Sequence, residues 1–369
     1  MKKKLSDLRA SIDAIDVRIV GLLDERARLA MKTASIKEGL GETLYQPARE
    51  ADVLARVTRG RKVFPAESLA AVYREIIGTS LSLEKRFSAA ILGPEATYTH
   101  LAAVKHFGRS THLEFEATIA DVFLRVEKGD VDVGVVPIEN STEGAIVHTL
   151  DRLIDSTLSQ ASLSIAAEIL LPVHHHLMVH PKAVRGGSRI RIDRIVSHPQ
   201  AIGQCRNFIE AYYPGIPVRN ASSTAAAAQD AARHPGTAAI ASELAAEKYG
   251  LKIVKAGIED VAGNTTRFLV LRRAAEEKAS RPTSADKTSV AFSVKDRPGA
   301  LFKMLEPFQR HKINLTKIES RPARVKAWQY VFFVDMEGHS SAPKLARALR
   351  DLERECQYFR VLGSYPAGT

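Results

Sequence analysis

Apolar residues recur along the start of the chain at spacings of four and three: Leu8, Ile12, Ile15, Ile19 and Leu22. That spacing draws one stripe down an α-helix, and it continues through Leu29 and Ile36 until Gly39 and Gly41 interrupt it. The predicted helix is about thirty residues long, beyond the usual globular range. A second helix is predicted after Pro47, from Arg49 to about Arg59, and a third from Glu67 to about Arg86. Three helices, one of them so long, leave apolar surface that either a following domain or a partner chain must cover. A helix-exchanged dimer is the favoured expectation.

Around Ser88 the pattern changes to short apolar runs, each followed by a polar turn and a helix. The segments "SAAILGPEATYTHLAAV", "VDVGVVPIEN", "RIVSHPQAIGQC", "TAAIASELAAEKYG" and "TTRFLVL" carry this alternation to about Leu271. Strand, loop and helix in rotation imply α/β architecture with sites at the carboxyl ends of strands. The length suits two lobes with a cleft between them, a periplasmic-binding-protein-like arrangement. Residues 273–287, "RAAEEKASRPTSADK", are polar and contain Pro282, so they read as a linker. From Thr288 the order strand, helix, strand, strand, helix, strand fits an α+β ferredoxin-like sandwich. The expected organisation is therefore multidomain: an all-α domain over 1–87, an α/β two-lobed domain over 88–272, the linker, and an α+β domain over 288–369.

Composition narrows the setting. Hydrophobic residues at 45% and charged residues at 26% are those of a water-soluble globular chain, and no window approaches the roughly 18 apolar residues of a membrane span. The basic start Met1 to Lys4 resembles a signal peptide, but Asp7, Arg9, Asp13 and Asp16 interrupt any apolar core, so a cytoplasmic location is expected. The only cysteines, Cys205 and Cys356, can form neither a disulfide framework nor a metal cage. The net charge of +11 is scattered rather than gathered on one face, and aromatics are 6%. That excludes the stacked, basic groove of a nucleic-acid binder and leaves a surface attractive to small anions. The run His174-His175-His176, with His180, invites a metal site, but adjacent residues on a strand face opposite ways and no carboxylate or cysteine sits at ligand spacing nearby. Neither metal nor cofactor is expected.

Arg9, Arg26, Lys37 and Arg49 taken singly are ordinary surface cations. As an ordered set, "LRASIDAID", "LLDERARLA", "SIK", "QPARE" and "IIGTSLSLE" resemble the all-helical chorismate mutases. Chorismate has two carboxylates, which arginine forks bind bidentately. Its rearrangement to prephenate is intramolecular, so the site must hold a compact conformer and stabilise charge on the ether oxygen. The resemblance implies that Arg9, Arg26 and Arg49 clamp carboxylates, with Arg9 supplied by a partner subunit. It also implies that Lys37 donates to the ether oxygen, Glu50 holds the substrate hydroxyl, Ser80 assists, and Glu84 faces the ether oxygen in protonated form.

The motifs "GPEATYTHLAA", "VVPIENSTEGAI", "SHPQAIGQC", "STAAAA" and "TTRFLVL" together resemble prephenate dehydratase, with Ala96 where glycine is usual. Loss of carbon dioxide and the ring hydroxyl needs a donor to the departing oxygen, while aromatisation drives the rest. The resemblance makes Thr266 that donor and Arg267, followed by Phe268, the anchor of a carboxylate. Glu139, Asn140, Ser141 and Thr142 lie on the turn after a buried strand and supply further contacts. Ser197, His198, Gln204, Ser223 and Thr224 line the opposite lobe. Several of these hydroxyls could equally be plain helix caps.

Residues 297–322 resemble the ACT domain that follows many such dehydratases. The pairing of Gly299, Ala300 and Leu301 with Glu319, Ser320, Arg321 and Pro322 marks the phenylalanine-responsive type. The expected partners are chorismate, prephenate and L-phenylalanine, in a homodimer or larger homo-oligomer, with no nucleic acid or membrane. Two rivals stay open: a dehydratase with a silent helical domain, and a two-lobed ligand sensor. Against the second, the N-terminal helices contain no helix-turn-helix for DNA.

Overall fold

The computed structural model describes residues 2–40, 43–60, 63–158, 163–185, 189–274, 281–295, 297–322 and 330–368. They form two compact units, one of residues 1–88 with 104–112, the other of 89–103 with 113–369. All three predicted textures are present.

The first unit is helical, with α1 (Lys2–Leu40), α2 (Pro47–Thr58) and α3 (Ala66–Glu84). Pro47 opens α2, where its fixed φ is already helical and its missing N–H costs nothing. Among the described residues of α1 only Ala34 is buried, whereas Leu8, Ile12, Ile15, Ile19 and Leu22 all lie exposed. The stripe read from the sequence therefore finds no cover among the described residues of its own chain. Farther along, Tyr45, Phe87, His106 and Phe107 pack in tilted and edge-to-face pairs, with ring centroids 4.6–6.2 Å apart, and Tyr45 Oη meets His106 Nε2 at 2.7 Å.

In the second unit the first lobe has β1 (Ser88–Leu92), α4 (Tyr98–Phe107, its end in the first unit), β2 (His112–Glu116), α5 (Ile119–Lys128), β3 (Val133–Asn140), β4 (Gly144–Ala145), α6 (Val147–Leu158) and β5 (Leu163–Pro172). The second lobe has β6 (His176–Val179), β7 (Val184–Arg185), β8 (Arg189–Ile190), β9 (Arg194–Ser197), α7 (Pro199–Gln204), α8 (Arg206–Tyr212), β10 (Val218–Asn220), α9 (Thr224–Arg233), β11 (Thr237–Ala241), α10 (Glu243–Tyr249) and β12 (Lys252–Lys255). The chain then returns to the first lobe as β13 (Thr265–Arg273). The sheet orders are β2-β1-β3-β13-β5, with β4 on β3, and β10-β9-β11-β6-β12. Two crossings, residues 173–175 and 256–264, join the lobes. They are tied to each other by Val173 N→Asn264 O at 2.8 Å and Ile258 N→His175 O at 2.9 Å.

The third sheet, ordered β15-β16-β14-β17, is built from β14 (Asp286–Ser293), α11 (Ala300–Arg310), β15 (Leu315–Pro322), β16 (Tyr330–Glu337), α12 (Pro343–Glu355) and β17 (Tyr358–Pro366). Its two helices cover one face, around Phe292, Met304, Phe308, Val334 and Leu352. The other face shares a core with the first lobe, where Phe333, Leu362 and Tyr365 meet Phe123, Leu150 and Leu153. Gly363 lets β17 close on β5, since a Cβ there would stand 2.2 Å from the carbonyl oxygen of Ile165. Of the expected linker, residues 275–280 lie outside the described set.

Gly78 on α3 faces a similar constraint, because a Cβ would lie 1.8 Å from the carbonyl oxygen of Phe107. Backbone must shift to admit it, and such overpacking costs about 1–3 kcal/mol. We expect Gly78→Ala to lower the midpoint of urea unfolding by a corresponding amount, although alanine is the better helix former. An unchanged midpoint would show that α3 has room to slide.

Candidate active sites

Five of the residues singled out in the helical segment converge. Arg26 Nη1 donates to Ser80 Oγ, whose own hydroxyl donates to Ile76 O at 2.7 Å. Lys37 Nζ lies 3.6 Å from Glu84 Oε2 and also reaches Leu44 O. Burial pushes the Glu50 carboxyl up to about 8, against the attraction of Lys37 and with help from Glu84. Burial likewise raises Glu84, with Lys37 and Arg26 opposing. Carboxyls raised by burial thus stand beside Arg26 and Lys37, an arrangement that suits an anionic ligand. Arg49 and Arg9 are exposed. Arg9 stands seventeen residues before Arg26 on one helix, about 25 Å along its axis, so it cannot join this cluster within its own chain.

In the second unit the polar residues gather at the crossings. Asn140 ends β3 and accepts the backbone amides of Thr142 and Glu143 on Oδ1, at 3.0 and 3.2 Å. Backbone amides only donate, so its other atom is the NH2, which donates to Thr266 Oγ1 at 2.9 Å and Asn264 Oδ1 at 2.7 Å. With its oxygen occupied as an acceptor, Thr266 has its own hydroxyl proton free to point elsewhere. Ser141 is tied to β13 through Ser141 N→Thr265 O and Thr265 N→Ser141 Oγ, each 2.9 Å. Gln204, at the end of α7, reaches across to Thr142 Oγ1 at 3.2 Å. Ala96, where a glycine was expected, takes φ 66°, a left-handed conformation that alanine adopts only under constraint. Its N–H donates to His100 Nδ1 at 2.9 Å.

The remaining residues of the opposite lobe serve the fold. Ser197 is fully buried and donates to Ile240 O at 2.6 Å. His198 caps α7 by accepting Gln200 N, and Ser223 caps α9 by accepting Ala226 N. Thr224, in the first turn of α9, is buried. Capping is the role that His198 and Ser223 are seen to fill.

Arg267 corrects the sequence expectation. Neighbouring residues on a strand face opposite ways, and with Thr266 turned to Asn140, Arg267 is sent through the sheet to the ferredoxin-like domain. There it is buried and donates to Glu168 Oε2 at 2.7 Å, Asp335 Oδ2 at 2.5 Å and Tyr365 Oη at 3.0 Å. It is not presented to the cleft, so anchoring a substrate carboxylate is not what this arrangement offers. Phe268 is a core residue, 1% exposed. Glu139, opposite Arg267 in the strand pairing, meets Lys317 Nζ at 2.7 Å. Lys317 belongs to β15, the strand that ends in Glu319, Ser320, Arg321 and Pro322. Arg321 shares that inward face and pairs with Asp151 of α6 at 3.1 Å, whereas Ser320 and Pro322 are exposed. Gly299 caps α11 at φ 76°, followed by buried Ala300 and exposed Leu301.

The contacts that sequence reasoning missed are Tyr98, His175, Asn264, Lys317 and Asp335. Tyr98, His175 and Lys317 lie in segments already singled out, but their partners, like Asn264 and Asp335, are brought together only by contacts between distant parts of the chain.

Residues 8–85 match the family described as Chorismate mutase type II, 89–276 match Prephenate dehydratase, and 288–354 match the ACT domain. The bifunctional chorismate mutase/prephenate dehydratase of Aquifex aeolicus (strain VF5) is 43% identical, covering 99% of this chain and 98% of that protein. That of Pseudomonas aeruginosa PAO1 is 40% identical, covering 98% of each. The chain belongs to the bifunctional chorismate mutase/prephenate dehydratase family. Among solved structures, the prephenate dehydratase of Arthrobacter aurescens in complex with L-Phe is 33% identical with a TM-score of 0.66, covering 76% of this chain and 89% of that one. A chorismate mutase/prephenate dehydratase carries an isomerase and a lyase in one chain, and here both domains are present with an ACT domain behind them. No helix among the described residues is long and apolar enough to cross a membrane.

Proposed function

We propose that the helical pocket rearranges chorismate to prephenate, and that Thr266 at the lobe crossing drives prephenate to phenylpyruvate under feedback from L-phenylalanine. The observation that carries the dehydratase assignment is the orientation of Asn140, which leaves the Thr266 proton available. Threonine is a weak acid, so its part is a hydrogen bond that strengthens as the ring hydroxyl departs. Asn140, Ser141, Thr142 and Gln204 hold the donor and line the cleft. In the mutase pocket Arg26 takes a carboxylate and Lys37 with protonated Glu84 brackets the ether oxygen, while Glu50 takes the hydroxyl and Ser80 steadies Arg26.

Arg9 reaches that pocket from a second copy. Its distance from Arg26 and the uncovered stripe of α1 both call for a homodimer in which the long helices exchange. Arg49, exposed beside Glu50, closes over the ligand.

For regulation, L-phenylalanine binds between Gly299–Leu301 and Glu319–Pro322, with exposed Ser320 and Pro322 nearest the ligand. Lys317 and Arg321 face the other way, into the dehydratase lobe. Movement of β15 on ligation therefore acts on Glu139 through Lys317, and on the Arg267–Asp335 pair beside it. An effector shifts activity only through differential affinity for two states, and this ion cluster is the contact that distinguishes them.

Three outcomes are expected. Purified protein given chorismate forms phenylpyruvate, read by its absorbance in alkali, and Thr266→Val instead accumulates prephenate with dehydratase turnover down about a hundredfold or more. A Thr266→Val enzyme that still forms phenylpyruvate at the original rate would remove Thr266 from the chemistry. Mutase turnover falls as pH rises through the raised Glu84 value, because the protonated form is the donor; Glu84→Gln abolishes the fall, and a profile already flat in the parent enzyme would sink the assignment. Finally, Lys317→Met raises the L-phenylalanine needed for half-inhibition about fivefold or more while calorimetry still detects binding. Unaltered inhibition in that variant would place the coupling elsewhere.

A further inference from the structure

We propose that His175, with Tyr98 behind it, is a positioning residue for the dehydratase reaction: it holds Gln204 in place within the ring of amides that runs through Asn264 and Asn140 to Thr266. The inference rests on the assignment of Thr266 as donor.

The polarity can be followed outward from the two backbone amides that fix Asn140. Asn140 Nδ2 donates to Asn264 Oδ1, so the free atom of Asn264 is its NH2, and this donates to Gln204 Oε1 at 2.8 Å. The NH2 of Gln204 then faces Thr142 Oγ1 and Glu143 Oε1, at 3.2 and 3.4 Å. Thr142 Oγ1 accepts there because it donates its own proton to Asn140 Oδ1 at 2.6 Å. Every amide in the ring is thereby oriented, and each atom assignment follows from its neighbour.

His175 closes this ring from behind. Its Nε2 lies 2.9 Å from Gln204 Oε1, a pure acceptor, so Nε2 must bear the proton. Its Nδ1 lies 2.8 Å from Tyr98 Oη, whose single proton is shared between that nitrogen and His174 O, 2.7 Å away. Burial holds the ring below the ordinary histidine range, against Gln204 and Glu259, in keeping with a single ring proton. The backbone of His175 is fixed in turn by His175 N→Glu259 Oε2 at 2.9 Å. At 3% exposure His175 does not reach the cleft, so it acts through Gln204 rather than on substrate. His175 and Asn264 each lie on one of the two crossings between lobes, where one imidazole can fix both strands of the hinge.

The test uses three variants of the full-length enzyme, with mutase activity of each preparation as the check on folding. His175→Leu removes one of the two donors to Gln204 Oε1, leaving the Asn264 amide alone to hold it, and dehydratase kcat is expected to fall about tenfold or more with KM for prephenate little changed. His175→Gln places an amide nitrogen near the position of Nε2 and is expected to recover most of the loss, whereas His175→Asn, too short to reach it, is not. In a Thr266→Val background His175→Leu should cost nothing further. Equal losses in all three variants, a loss confined to KM, or a full additional loss on top of Thr266→Val would each overturn the proposal. A Thr266→Val enzyme with normal turnover, seen in the same assay, would identify the Thr266 assignment as the failing step instead.

Discussion

The antiparallel pairing of β3 with β13 is the constraint on which both faces of the dehydratase lobe depend. Thr266 stands opposite Asn140, and Arg267 opposite Glu139. Because side chains alternate across a sheet, the first pair opens toward the crossings and the second toward the regulatory sheet. A slip of one residue would exchange them, aiming Arg267 at the substrate side and Thr266 at Asp335. The register is pinned from both ends. Ser141 grips Thr265 through backbone and side chain, and Arg267 is gripped by Glu168 and Asp335.

That second grip is poor as a source of stability and good as a connection. Taking an arginine and two carboxylates out of water is costly, and their attraction offsets the cost only when remaining donors are satisfied. Satisfaction here is dense: Tyr365 and Ser289 meet Arg267 and Asp335, while Lys287 and the Gly368 amide meet Glu168. Apolar packing around Phe333 and Leu362 could hold the two domains together without any of these groups. What apolar packing lacks is direction. Hydrogen-bonded charges tolerate little displacement, so a small shift of β15 or β16 is transmitted to β13 rather than absorbed.

Much of this was legible in the sequence, and the limits are physical. The stripe on α1, the strand–helix alternation after Ser88 and the βαββαβ order after Thr288 are local patterns, and the fold class follows from them. Convergence of Arg26, Lys37, Glu50, Ser80 and Glu84 was legible as ordered motifs. The placement of Arg267 was partly legible, since a strand residue next to Thr266 cannot face the same cleft, yet the motif invited both roles at once. His174 and His175 lie on the crossing rather than on a strand, so the burial of His175 beside exposed His174 could not be read from strand alternation. Lys317 and Asp335 were beyond reach, because strands more than a hundred residues from Glu139 and about seventy from Arg267 must first find their sheet. His198 and Ser223 are seen as helix caps and Ser197 as a buried donor to Ile240 O, partners that residue type alone does not announce.

On the proposed roles, the two sites use different electrostatics for a chemical reason. A unimolecular rearrangement asks for fixed charge and a shaped pocket, so fixed cations beside carboxyls of raised pKa are sufficient, and titration tunes them. Elimination of a hydroxyl asks instead for one proton delivered in one direction, and charge alone cannot specify direction. A closed ring of amides can, because each NH2 faces the oxygen of the next group and the whole ring takes its sense from two backbone N–H groups that cannot reverse. Such a ring is only as rigid as the strands that carry it. Placing it where the lobes cross, and placing the regulatory sheet against the other side of the same strands, puts direction and control on the same pair of strands.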